Sequence, residues 1–135
     1  MIERLAAALV LLAVGVIAYR LMIGRQIKRT SALVSSDPLL NGLKPGVPTI
    51  LYFTTPTCIP CKTVQTPALN RLQAELGEAI QIVKVDATEN PDAAQRWGVL
   101  SAPTTFVIDG QGATKAINHG VAEADKLRAQ ISRVA

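Results

Sequence analysis

Along this chain the hydrophobic positions change their spacing, and each change marks an element. From Leu5 to Tyr19 apolar residues run without a charge. Fifteen helical residues span only about 22 Å, short of a hydrocarbon core of about 30 Å. If Arg20 snorkels to the headgroups, the stretch extends through Leu21, Met22 and Ile23, and about 28 Å suffices to cross. The run therefore predicts a membrane-spanning helix. A cleaved signal peptide is the alternative, with Val16-Ile17-Ala18 as its cleavage site. Against cleavage, Glu3 offsets Arg4 ahead of the run, and apolar residues continue past Ala18.

Residues 25–46 lose the apolar pattern. They are basic at first, then broken by Asp37-Pro38, Asn41-Gly42 and Pro45-Gly46, which predicts a linker. Leu39, Leu40 and Leu43 suit one short helical turn within it. Beyond the linker the pattern is that of a compact α/β unit. Thr49–Thr55 is a β-branched and aromatic run ended by Pro56, a buried strand. From Cys58 apolar residues fall at Val64, Ala68, Leu69, Leu72 and Leu76, a helix closed by Gly77. Ile80–Ala87 predicts a second strand. A helix follows from Asn90-Pro91 to Trp97, stopped by Gly98. Thr104–Asp109 and Thr114–Gly120 predict two strands joined by a hairpin, and Ala122–Val134 a final helix. The order β-α-β-α-β-β-α implies a central mixed four-stranded sheet with helices on both faces. The expected division is 1–24 as anchor, 25–46 as linker and 47–135 as the α/β domain. Without residues 1–45 that domain should be soluble and folded.

Charge changes this picture in one respect. The net charge is +4, with six Lys/Arg against two Asp/Glu up to residue 45 and equal numbers beyond. A nucleic-acid-binding face would need the excess on the folded unit, so nucleic acid is not an expected partner. The excess lies just after the apolar run, at Arg20, Arg25, Lys28 and Arg29. The positive-inside rule then leans toward a single-pass protein of the cell membrane with its domain in the cytoplasm; the extracytoplasmic side is the alternative.

The candidate chemistry sits at the end of the first strand, where α/β folds hold their sites. The only two cysteines stand there as Cys58-Ile59-Pro60-Cys61. With "VKVDATENP" on the next strand and "WGVLSAPTTFVIDGQG" before the hairpin, residues 47–135 resemble the thioredoxin family. The resemblance implies a thioredoxin-like fold and a disulfide reductase of proteins that exchanges electrons through the redox-active disulfide Cys58–Cys61. It implies protein disulfide substrates, an upstream reductase or other electron donor, and no further cofactor or metal. Cys58, at a helix N-terminus, meets unpaired N–H groups that favour its thiolate, so it is the expected nucleophile. Cys61, one turn deeper, is the expected resolving thiol. Pro60 stiffens the loop. By resemblance Pro103 is a cis-proline facing Cys58, Ala102 offers its backbone to an extended substrate, and Gly120 closes the substrate groove. An ordinary edge-strand proline is the alternative at Pro103. Lys84 resembles the family's buried lysine beneath the cysteines; an outward-pointing strand lysine is its alternative.

Three departures from the family pattern stand out. Thr57 replaces the usual tryptophan before the first cysteine, Tyr52 replaces the buried aspartate of many members, and Pro67 lies one residue late for the helix-kinking proline. The base serving Cys61 is thereby left open among Tyr52, Lys84, Asp86 and water. Rival readings use the same thiols: a glutathione-dependent glutaredoxin-like reductase, a Cu(I)-binding module, or a scaffold without redox activity. Structural zinc needs four ligands, whereas the two cysteines and the distant His119 supply three.

Overall fold

A computed structural model describes residues 1–134. Ala135, the last residue of the expected domain, lies outside the described residues. Four strands form one mixed sheet: β1 (Thr49–Thr54), β2 (Gln81–Asp86), β3 (Thr104–Ile108) and β4 (Thr114–His119). Their spatial order is β2-β1-β3-β4, with β1 and β2 parallel and the other pairs antiparallel. The helices are α1 (Ile2–Val34), α2 (Thr66–Leu76), α3 (Pro91–Trp97) and α4 (Ala124–Ser132).

Every residue of β1 and β3 is buried, which explains their unbroken apolar runs: both faces of the sheet are covered. Successive side chains alternate between the faces. Ile50, Tyr52 and Val107 pack with Leu69 and Leu72 of α2 and Leu127 and Ile131 of α4. Leu51, Phe53, Phe106 and Ile108 pack with Ala93 and Trp97 of α3 on the opposite face. There the ring of Phe106 meets Trp97 and Phe53 edge-on, at centroid distances of 5.1 and 5.8 Å. The α3 helix begins at Pro91, whose missing N–H costs nothing in a first turn, and ends at the left-handed Gly98.

The stretch expected as a linker departs from that description. The α1 helix does not stop near residue 24 but runs to Val34. Its last turns pack on the sheet: Thr30 is buried, and Leu33 and Val34 join the cluster around Trp97. Asp37 then caps the turn Pro38–Leu40, accepting from the Leu39 N–H at 3.0 Å. The same buried carboxylate accepts from the Trp97 indole at 2.9 Å and from the Arg96 guanidinium at 3.2 Å. Leu39 and Leu43 pack beside the buried Leu40, as the predicted short turn requires. Further on, the Gln81 amide brackets Lys44, accepting its N–H and donating to its carbonyl, both at 2.9 Å. At Gly110 a Cβ would lie 2.5 Å from the Gly46 carbonyl oxygen, so only glycine fits. The contacts of residues 26–40 run against the expectation that the fold needs nothing before residue 46.

Three contacts give the course of α1 across the sheet. Val34 lies beside Gly112, in the β3–β4 hairpin. The Ser31 hydroxyl accepts the Thr114 N–H at 2.9 Å, at the start of β4. The Gln26 amide donates to the Trp97 and Gly98 carbonyls at 3.3 Å and lies 3.2 Å from the His119 ring, at the end of β4. Followed toward its N-terminus, α1 therefore leaves the hairpin and reaches the opposite end of the sheet. That is the end where β1 stops, because Phe53 pairs with Thr104 and Thr104 with His119.

Candidate active site

Cys58 and Cys61 form a disulfide just past the carboxyl end of β1. A turn through Thr55-Pro56-Thr57 brings the chain there, closed by the Cys58 N–H donating to the Thr55 carbonyl at 3.2 Å. The two sulfurs are unequal. Cys58 is 8% exposed and Cys61 only 1%, so an incoming group meets Cys58 first. The Cys61 N–H donates to Cys58 Sγ at 3.2 Å, a contact that strengthens when the sulfur carries charge. Pro60 sits exposed in this first turn at φ −60°, where a missing N–H breaks no helical bond.

The groove residues converge on the same place. The Ala102–Pro103 bond is cis, and Ala102 packs against the cluster that contains both cysteines. Pro103 leads into β3, an interior strand, so the edge-strand reading does not apply. Its carbonyl accepts the Gly120 N–H at 2.9 Å, and Gly120 takes a φ of +90° that favours glycine.

Beneath the disulfide stands Tyr52. Its hydroxyl donates to the Cys61 carbonyl at 3.4 Å and lies 3.3 Å from Thr66 Oγ1. The phenol thus props the first turn of the helix and faces the Cys61 backbone rather than its sulfur. Lys84 is exposed, and the buried-lysine expectation is corrected. It pairs with Tyr52 and shares its face, but β2 is an edge strand and the side chain runs out to solvent. The Asp86 carboxylate accepts the N–H and hydroxyl of Thr88; these bonds, the hydroxyl's foremost, hold it below the usual carboxylate range and make it a weak base. His119 is exposed at the end of β4, engaged with Gln26.

The late proline also has a visible effect. Residues Cys61–Gln65 form a π-helical turn in which the Thr66 N–H reaches back to the Cys61 carbonyl. Pro67 cannot donate to the preceding turn, so the ladder widens immediately ahead of it. Val64, expected on the apolar face, is 41% exposed, whereas Gln65 is wholly buried. The Gln65 amide pairs with the Ala122 backbone, accepting its N–H at 2.8 Å and donating to its carbonyl at 3.0 Å. Sequence reading passed over Gln65, although Cys61, Gln65, Leu69, Leu72 and Leu76 make one helical stripe. It also passed over Thr66, which lies against the Tyr52 hydroxyl, and the bonding of Asp37 to Arg96 and Trp97.

A thioredoxin family profile matches residues 41–133. Thioredoxin of Bacillus subtilis is 43% identical over 60 residues, covering 44% of this chain and 57% of the relative. Thioredoxin 1 of Synechococcus elongatus is 33% identical over 70 residues, covering 51% of this chain and 64% of the relative. Each match spans less than two thirds of the relative's own length. Among solved structures, thioredoxin-2 of a malaria parasite superposes with a TM-score of 0.63 at 26% identity, covering 70% of this chain and 90% of that one. Fasciola hepatica thioredoxin superposes with a TM-score of 0.59 at 28% identity, covering 67% of this chain and 84% of that one.

Proposed function

This chain belongs to the thioredoxin family, and on that premise we propose that it is a membrane-tethered thiol–disulfide oxidoreductase working on protein disulfides. The observation that carries the reading is the inequality of the two sulfurs: the more open one accepts a backbone N–H, the other lies sealed one turn below. In the reduced protein the Cys58 thiolate attacks one sulfur of a partner disulfide. A mixed disulfide forms and the partner's other sulfur leaves as a thiolate. Cys61, losing its proton, then attacks Cys58 Sγ, closing the Cys58–Cys61 disulfide and releasing the partner's second sulfur. Two electrons pass to the partner, whose two thiolates take up the Cys61 proton and the one Cys58 released to solvent on ionising, and an upstream dithiol reductant restores the starting state. Pro103 and Ala102 form the wall along which an extended substrate lies, and Gly120 holds that wall in place.

The tether is the apolar part of α1. It has a mean hydropathy of 2.3, and none of that stretch is buried. The basic residues that follow it favour a single pass with the domain on the cytoplasmic side.

Trapping tests the assignment. With a protein disulfide as substrate, Cys61→Ser should accumulate mixed disulfides that dithiothreitol releases, and Cys58→Ser should capture nothing. Capture by Cys58→Ser alone reverses the roles. Capture by neither ends the oxidoreductase reading. Glutathione alone sufficing as reductant would favour the glutaredoxin-like reading, and tight Cu(I) binding without disulfide reduction would favour the metal-binding one.

A further inference from the structure

Three observations bear on where the disulfide sits relative to the bilayer. The first is the course of α1, which in running toward its N-terminus leaves the sheet at the disulfide end, past Gly98 and His119. The second is spacing. The apolar run ends at Ile23, and Gln26 already touches the domain. Two residues of one unbroken helix, Gly24 and Arg25, separate them, and three steps along the helix rise about 4.5 Å. Met22, Arg25 and Arg29 even line a cleft together with Arg96, Leu100 and His119. The third is the distribution of apolar surface on the domain. From Gly24 through Val134 the large exposed hydrophobic residues are Ile59 (65%), Val64 (41%), Leu100 (91%) and Val121 (39%). Ile59 lies between the cysteines, Val64 in the π turn behind them, Leu100 just before the Pro103 loop, and Val121 beside Gly120. Ile59 and Val64 thus flank the cysteines along the chain, and Leu100 and Val121 flank the Ala102–Pro103 and Gly120 segments, of which Ala102 packs in the cysteines' cluster.

We propose that the disulfide face of the domain is turned toward the bilayer, and that its substrate is a disulfide of an integral membrane protein presented at headgroup level. This rests on the oxidoreductase reading with a membrane tether and narrows its substrate class. A rigid α1 that enters the membrane within one turn of the active-site end holds Cys58 near the headgroups. A disulfide far out in solution faces the opposite, hairpin end of the domain. The apolar rim of Ile59, Leu100 and Val121 suits the apolar flank of a segment emerging from the bilayer. Arg25 and Arg29 at the same end match the anionic headgroups beside it. The electron balance is the one given above: two electrons and two protons leave the Cys58/Cys61 dithiol and the partner disulfide becomes two thiols.

Two arms test this with the full chain in phosphatidylcholine–phosphatidylglycerol vesicles. In the first, the cysteines are replaced by serine and a fluorophore is placed through Leu100→Cys or Gln111→Cys. Headgroup-nitroxide lipids should quench the label at 100 and spare the one at 111, in the hairpin. Equal or reversed quenching overturns the proposed orientation. In the second, the intact chain is given one disulfide peptide in two forms, joined to a membrane-spanning helix or free in solution. The spanning form should be reduced at least about tenfold faster, as confinement raises effective concentration. Ten Gly/Ser residues inserted after Ile23, a flexible reach of about 17 Å, should reduce that preference to less than half. An undiminished preference, or none in the intact chain, overturns the substrate class. Failure to reduce either peptide even in detergent would instead overturn the oxidoreductase reading itself.

Discussion

The two parts of α1 form one continuous helix and live under opposite rules. From Leu5 to Tyr19 its side chains carry no charge and its large apolar ones are open to their surroundings: Leu5, Leu9, Leu12 and Ile17 are each more than half exposed. From Gly24 to Val34 it is more polar, yet this is the part that packs. In the first part composition and length are those of a helix able to cross a membrane. In the second, composition misleads. Beside the packing of Leu33 and Val34, its contacts are made by the Gln26 amide and the Ser31 hydroxyl, which find backbone partners 71 to 83 residues away. A polar sequence became a structural layer because the rest of the fold supplies its hydrogen bonds.

Truncation should separate the two parts most sharply. Deleting residues 1–24 is expected to leave a cooperative unfolding transition. Deleting 1–45 removes Leu33, Val34, Asp37 and Leu40 from the Trp97 face. Each large side chain fully buried is worth about 1.5–3 kcal/mol, against a typical total of about 5–15 kcal/mol. The shorter protein should therefore lose its cooperative transition in urea; matching midpoints for the two deletions would show that residues 25–45 are dispensable after all.

Next in size is Asp37→Ala, which leaves the Trp97 indole N–H buried without its acceptor and should cost about 1–3 kcal/mol. The pH dependence of the same group has a definite sign. Burial pushes its pKa up, but the hydrogen bonds from Arg96, the Leu39 N–H and Trp97, with the Arg96 charge, outweigh that and hold it below the usual value. Its contribution is then complete above about pH 4 and is lost as the pH falls through the lowered folded value. Asp37→Asn should flatten that acid limb in urea titrations at stepped pH; an unchanged slope would mean that the carboxylate's charge plays no part.

Gln26→Ala should cost less, about 0.5–1.5 kcal/mol, since its bonds are long and part-exposed. Smallest of all is Leu12→Ser. In detergent it should shift the domain's unfolding by less than about 0.5 kcal/mol, because Leu12 touches nothing in the fold. A larger shift would mean that the apolar part supports the domain and that the contrast between the two parts is overdrawn.

What was legible in the sequence follows the same division. Strands β1 and β3 announced themselves as unbroken β-branched and aromatic runs, and Gly77 and Gly98 marked helix ends by their backbone freedom. Local chemistry was legible where it is concentrated in few residues: Cys58 and Cys61 are bonded, the Ala102–Pro103 bond is cis, and Gly120 bonds to Pro103. It was not legible where position within the sheet decides. Lys84 has a suitable register opposite Tyr52, but edge or interior placement depends on strand order, which no local pattern encodes. Asp37 read as a turn residue beside Pro38, and its second role awaited Arg96 and Trp97, some 60 residues on. Nothing local marked Gln65, because its two partners are backbone atoms of Ala122.

That last pair has a mechanical consequence. A carboxamide carries the same donor and acceptor as a peptide unit, so Gln65 acts as a rung of sheet made by a side chain. Two residues earlier, Gly120 is fastened to Pro103 by its own N–H. The short segment 120–122 is thus riveted on one side to Pro103 at the start of β3 and on the other to the helical turn that carries Cys61. Moving that segment away from the cysteine-bearing helix therefore means breaking both bonds of the Gln65–Ala122 pair, and moving it away from β3 means breaking the Gly120–Pro103 bond.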